Sequence, residues 1–364
     1  TYFLSKSFGY LIRIAFYSFD NSILDKDVFM MFFLGMNIID WSAFIFSLIL
    51  QVFLFTRSHA FTKLFINFSA MIVYLGLSLF LIFIVSEHHT EVFQTFKDLL
   101  TFENIFSKDS IVPTITVAGT IFAYFSIVIV NYGDFSRYVK NEKQLNKGNL
   151  SLILNLIIFS LFSVLIVIGT DIILNKNLEN VDQILTNPTD IIGKFDNVFL
   201  TIAVLFFILF SSLSTNLIAN YVPSQNSLIN FLPNNLTLKS TGVIIALIAF
   251  PIGIFWMPLL SQIGILSFVD TMGSFFGPIF GIIIVDYYLI KNQKLVNKDI
   301  FSSANNSSYY FSYGWHIKAI YSLFVGFIFS AATIWNADLR FLQSFSWFIG
   351  AFMSSLTYYL LAIR

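Results

Sequence analysis

The chain has 364 residues, of which 57% are hydrophobic, 46 are Phe and only 11% are charged, with a mean hydropathy of +0.80. A soluble domain cannot hide that much apolar side chain, and a formal net charge of zero argues against nucleic acid or any other bulk electrostatic partner. The absence of Cys removes disulfides, thiolate metal sites and thiol catalysis.

Repeated charge-free runs of about twenty residues match a helix crossing a hydrocarbon layer of about 30 Å. Their apolarity is continuous rather than alternating, which selects helices over a barrel. The expected fold is therefore an all-α polytopic membrane protein. Residues 1–16 are apolar but carry Lys6 and Arg13 and no cleavage site; they read as the tail of a helix in an N-terminally truncated sequence, not as a signal peptide. Nine complete spans follow, at 39–56, 64–86, 111–132, 149–170, 197–222, 241–260, 263–290, 317–336 and 341–362.

The third span contains Pro113, Gly119 and Thr120 before an aromatic stretch ending at Phe125. Gly and Pro permit a break, and broken helices at mid-membrane are where transporters set backbone groups against substrate. Phe125 by itself reads first as a lipid-facing ring, and the break that Gly and Pro permit raises it as a site candidate. Beyond this span Asp134 and Arg137 stand three apart, as an ordinary i, i+3 pair at a membrane edge does.

The fifth span, 197–222, is apolar as far as Phe210 and then becomes polar. On an α-helix Ser211, Ser214 and Thr215 share one stripe, and Ser212, Asn216 and Asn220 form the adjacent one. The first stripe offers hydroxyl oxygens to a hard cation; the second offers amides that donate and accept together. A symporter needs this division. Small polar residues also serve close helix packing in membranes, but two Asn in mid-span are costly without partners. In the span 263–290, Asp270 is an ionisable group inside the bilayer and reads as a gate contact or proton site, or as a carboxylate snorkelling to the interface. Asp286 reads as interfacial, and His88-His89 lack the further ligands a metal site needs. No constellation suited to catalysis is evident, so an enzyme is not expected.

The loops alternate in charge. Residues 57–63, 133–148 and 291–318 are rich in Lys and Arg and are expected in the cytoplasm, whereas 17–38, 87–110 and 171–196 are acid-rich and are expected outside. The C-terminus at Arg364 is then cytoplasmic. Tyr287, Tyr288, Tyr309, Tyr310, Tyr313 and Trp315 crowd one boundary, as headgroup anchors do.

Four segments together resemble the nucleobase:cation symporter family of hydantoin, allantoin, cytosine and uracil permeases. They are Asn-Tyr-Gly-Asp-Phe-Ser-Arg-Tyr at 131–138, Ser-Thr-Asn-Leu-Ile-Ala-Asn at 214–220, Gly-Pro-Ile-Phe-Gly-Ile-Ile-Ile-Val-Asp-Tyr-Tyr-Leu at 277–289, and Tyr-Gly-Trp at 313–315. The resemblance implies twelve helices with two inverted five-helix repeats. This chain would start late in the third helix: residues 1–110 are the remainder of the first repeat, 111–290 the second, and 291–364 two C-terminal helices. It implies a secondary transporter in a bacterial cytoplasmic membrane, working by alternating access on a nucleobase or related planar heterocycle, with the lipid bilayer as its surroundings and no obligatory protein partner or organic cofactor. By the same resemblance Ser214 and Thr215 are hydroxyl ligands of a sodium ion, with Ser211 where the family supplies a carbonyl. Asn220 contacts the substrate ring with Asn216 close by, and Phe125 stands where the family stacks a Trp. Asp270 falls where relatives can carry a neutral residue, which leaves proton coupling open beside sodium. An amino acid or amine as cargo, and a channel, are the rival readings.

Overall fold

The computed structural model describes residues 2–20, 22–57, 59–177, 191, 197–232, 234–300, 302 and 304–363. Most of the acid-rich stretch 171–196 and the terminal Arg364 lie outside them. The longer helices are α1 (Tyr2–Phe19), α2 (Ile38–Phe55), α3 (His59–Leu99), α4 (Lys108–Val130), α5 (Glu142–Asn177) and α6 (Val198–Thr215). There follow α7 (Val222–Phe231), α8 (Leu238–Ile263), α9 (Ile265–Ile284), α10 (Ile317–Trp335) and α11 (Ser346–Ile363). Two π-helical turns, Asn216–Tyr221 and Val285–Ile290, continue α6 into α7 and extend α9. A 3-10 segment, Ala337–Phe345, joins α10 to α11.

Among the described residues nine stretches are long and apolar enough to cross a membrane, one for each span read from the sequence. The protein is an all-α, multi-pass membrane protein. Much of each span's surface is left uncovered: the Glu142–Leu174 span is only 17% buried, and large side chains such as Leu64, Ile82 and Leu247 are more than half exposed. A hydrocarbon solvent explains this, since an apolar helix need not hide from lipid. Three boundaries differ from the sequence reading. Polar residues from Glu142 begin α5 seven residues early, α3 continues to Leu99 across a kink at His88 (φ −128°, ψ 28°), and the 197–222 span runs on through α7.

The chain forms two compact units, Thr1–Asn104 with Ser136–Pro258, and Ile105–Phe135 with Leu259–Arg364. This division follows packing and does not test the repeat boundaries at 110 and 290, which concern internal symmetry.

In the first unit, α6 is the central helix. Val204 and Phe207 pack with Leu77, Phe80 and Ile84 of α3 and with Ile166 and Ile173 of α5. Leu209, Leu213 and Leu217, spaced by four and so on one face, pack with Leu4 of α1 and with Leu54 and Phe55 of α2. Asp40 sets the start of α2. Its Oδ2 accepts from the Asn37 N–H at 3.3 Å, the Asp40 N–H donates to the Asn37 side chain at 3.0 Å, and Oδ1 takes a 2.7 Å ion pair from Arg13 of α1. One carboxylate thus closes a capping box and ties two helices.

In the second unit, α9, α10 and α11 pack closely because small residues line the contacts. A methyl group at Gly277 or Gly281 would overlap the Trp347 or Ala351 carbonyl of α11, and Gly326 and Gly350 meet across the α10–α11 contact. Small residues four apart let backbones approach and gain dispersion where lipid removes the hydrophobic drive. The Gly-Pro-x-x-Gly segment at 277–281 is therefore first a packing device. The Ser354 hydroxyl of α11 donates to the Pro278 carbonyl at 2.9 Å.

Candidate functional site

The polar stretch of α6 begins where its apolar contacts with α3 and α5 end. Ser211 and Ser212 line a cavity of about 180 Å³ with Leu77, Phe80, Phe159, Ser163 and Phe207. Ser214 donates to the Phe210 carbonyl at 2.8 Å and to the Ser211 carbonyl at 3.1 Å. Thr215 is exposed and is the last α-helical residue before the π-turn.

The π-turn was not read from the sequence, where its one signal is Pro223 just beyond it. It replaces i→i+4 bonds by i→i+5 bonds, so a carbonyl at the transition loses its normal partner; such turns recur at functional sites. Here it follows Thr215 directly and contains both amides. Asn220 Nδ2 donates to Asn216 Oδ1 at 2.6 Å, and Asn220 is exposed. The structure thus keeps Ser211, Ser214, Thr215, Asn216 and Asn220 within three turns of one helix. The hydroxyls and carbonyls precede the widening and the paired amides lie in it.

Phe125 and Asp270 belong to the other unit. In α4, Ala123 is buried against Gly273 of α9, which turns Tyr124 and Phe125 outward; they are 62% and 41% exposed, their rings edge to face at 5.2 Å. The break that Pro113 permits is not realised. Pro113 lies only two turns into α4, where losing one backbone hydrogen bond is tolerated, and Ser107 caps the helix by accepting from the Ser110 N–H at 3.2 Å.

Asp270 is 2% exposed. Its Oδ2 accepts from Gln343 Nε2 at 2.9 Å, and the same nitrogen lies 3.4 Å from Ser267 Oγ. Snorkelling to the interface is therefore not its arrangement. Nothing local in the sequence pointed to Gln343, which arrives from 73 positions away.

At the other end of α9, Asp286 is no simple interfacial anchor. The π-turn brings Lys291, five residues on, back to it: the Lys291 N–H reaches the Asp286 carbonyl at 2.8 Å and the ammonium pairs with Oδ2 at 2.7 Å. Oδ1 accepts from the Tyr358 hydroxyl of α11 at 2.6 Å, and His316 Nε2 lies 2.9 Å from that hydroxyl. Phe311 stacks on the imidazole at 3.9 Å. Burial pushes the His316 imidazole below its ordinary value; Lys291 and Lys318 act in the same direction, and Asp286 opposes them. Among the described residues no cluster of three or more His, Cys, Asp or Glu could hold a metal. Oxygen-only sites of hydroxyls and carbonyls fall outside that description.

The profile of a family described as permeases for cytosine/purines, uracil, thiamine and allantoin matches residues 33–363. The chain belongs to this permease family. The chain is 30% identical over 210 residues to a purine-uracil permease of Arabidopsis thaliana, covering 57% of this chain and 33% of that one. It is 25% identical over 242 residues to the allantoin permease of Bacillus subtilis, covering 66% and 47%. Against the hydantoin permease of Microbacterium maritypicum the figures are 28% over 137 residues, covering 37% and 27%. The chain thus spans at most about half the length of these relatives. No solved structure matches it.

Proposed function

We propose that the permease is a secondary active symporter that carries a nucleobase or related planar heterocycle, of the hydantoin, allantoin, cytosine or uracil type, by alternating access. The observation that carries this reading is the α-to-π transition in α6, where Ser211, Ser214 and Thr215 on one side adjoin the Asn216–Asn220 amide pair on the other. Hydroxyl and carbonyl oxygens suit a sodium ion. Two amides match the alternating donors and acceptors on the edge of a cyclic amide. The names of the relatives support this class of cargo.

In this reading sodium binds Ser211, Ser214 and Thr215 and favours the conformation in which Asn220 and Asn216 read the edge of the ring. The family resemblance puts Phe125 forward as the aromatic face on which the ring stacks. Coupling requires only that both ligands prefer one state. The alternating loop charges support a cytoplasmic C-terminus.

The test is binding and uptake of labelled uracil, cytosine, allantoin and hydantoin, with amino acids alongside, by the whole protein in vesicles. Thr215→Ala is expected to abolish the sodium dependence of binding. Asn220→Ala is expected to weaken binding about tenfold at every sodium level, the equivalent of about 1.4 kcal/mol. Unchanged uptake in both variants overturns the site, and signal from amino acids alone overturns the cargo.

A further inference from the structure

Asp270 sits at a junction of three elements made by close backbone approach. The α4 backbone meets the 3-10 segment so closely at Gly119 that a methyl group there would overlap the Ser344 carbonyl, and the next turn of α4 meets α9 where Ala123 touches Gly273. Thr120, Asp270 and Gln343 are neighbours of those contact residues, so packing alone gathers them. Gln343 holds Oδ2. Oδ1 is buried and completes no hydrogen bond of good geometry, with the Thr120 hydroxyl as the nearby group that acts on the carboxylate.

Among the described residues no counter-charge offsets this carboxylate. Besides burial, the groups that act on it are Gln343 and Thr120, neither of them ionisable. On the elements packed against it, Asp338 and Arg340 of the 3-10 segment are exposed, as is Asp109 at the start of α4. Lys108 precedes Thr120 by three turns. Lys318 and His316 start α10, and Asp286 ends α9, all at the opposite end of α9; α11 carries no Asp, Glu, Lys, Arg or His before residue 364. The N-terminus of α9 favours negative charge, but that effect fades within the first turn and Asp270 lies in the second. An ionised carboxylate so placed is an uncompensated buried charge, which is costly.

The geometry points to Asp270 as a proton-binding site of the permease, with the proton on Oδ1, Gln343 bound to Oδ2, and Thr120 and Ser267 completing the polar wall. A metal ion would need several oxygens, and here the amide turns its NH2 group towards the carboxylate. A proton needs one lone pair. The exchange balances with water alone: hydronium and carboxylate give carboxylic acid and water, and the reverse step returns the proton. The inference rests on the symport reading and adds a second coupling ion to it, placed in the unit that does not hold the sodium ligands.

Infrared difference spectra of the whole protein in vesicles, taken between neutral and alkaline pH without substrate, test it directly. A protonated-carboxyl C=O band that is present near neutral pH, lost on alkalinisation and missing in Asp270→Asn is the expected result. In Gln343→Met the band moves to higher frequency, because the C=O at Oδ2 loses its donor; this variant serves if Asp270→Asn does not fold. Uptake of the labelled heterocycles driven by an inward proton gradient is lost in Asp270→Asn and kept in Asp270→Glu. Absence of the band, its persistence at alkaline pH, or an identical band in Asp270→Asn overturns the proposal. Failure of the wild type to take up any heterocycle counts against the symport reading instead, and the band, which needs no substrate, is still read by itself.

Discussion

α6 and α9 each carry polar residues within a membrane span, each end in a π-helical turn, and use that polarity in opposite ways. In α6 the side chains satisfy themselves within the helix: Ser214 bonds the Phe210 carbonyl and Asn220 bonds Asn216. Thr215 and Asn220 stay exposed. In α9 and its π-turn the hydroxyls of Thr271 and Ser274 also bond within the helix, but the carboxylates reach other elements, from Asp270 to Gln343 and from Asp286 to Tyr358. Polar groups bonded inside their own helix can change partners without unpacking anything, whereas groups tied across helices hold the bundle together. The first arrangement suits a site that exchanges ligands, the second a site that senses or fixes helix position.

Substitutions separate the two cases. The largest effect is expected at the α9–α11 contact, where Gly277→Leu forces the backbones apart; overpacking of this kind costs about 3 kcal/mol, read as a lowered melting temperature in detergent and loss of the monodisperse peak. Tyr358→Phe comes next. It strips Asp286 and His316 of their shared hydroxyl, and a hydrogen bond to a charged group is worth about 2 kcal/mol, measured in the same melt.

The pH dependence follows from His316. Its folded-state value lies below the ordinary 6.5, so the folded protein binds fewer protons there than the unfolded chain. The stabilising contribution is complete above about 6.5 and is lost as pH falls through the lowered folded value. Melting temperature should therefore fall on acidification through this window, and His316→Gln should flatten the slope. An unchanged slope removes His316 as the cause. Smallest of all, Thr215→Ala and Asn220→Ala should move the melt by less than about 0.5 kcal/mol while altering binding. A large melt shift in either would erase the contrast between α6 and α9.

The candidate site was legible to the extent that it is local. Ser211 to Asn220 occupy one helix, and helical periodicity places them on neighbouring stripes without knowledge of any other segment. The π-turn that reshapes those stripes was not read, although Pro223 directly beyond it cannot donate to the Ala219 carbonyl and its ring crowds that turn. Phe125 was read as an aromatic ring on the span that forms α4, while its outward direction depends on Ala123 seating against Gly273. Asp270 drew attention as an intramembrane carboxylate, while Gln343 did not, since an amide in a short connection has no periodic signal.

Sequence by itself determined the membrane solvent, the helical class, nine spans and the polar stretch on α6, because each depends on composition or on spacing within about twenty residues; the family came from the likeness of four segments between residues 131 and 315. Tertiary structure alone decided the partners of Asp270 and Asp286. Those contacts join positions 73 and 72 residues apart, and they form only because Gly119, Gly273, Gly277 and Gly281 let backbones approach to a distance that no side-chain pattern records.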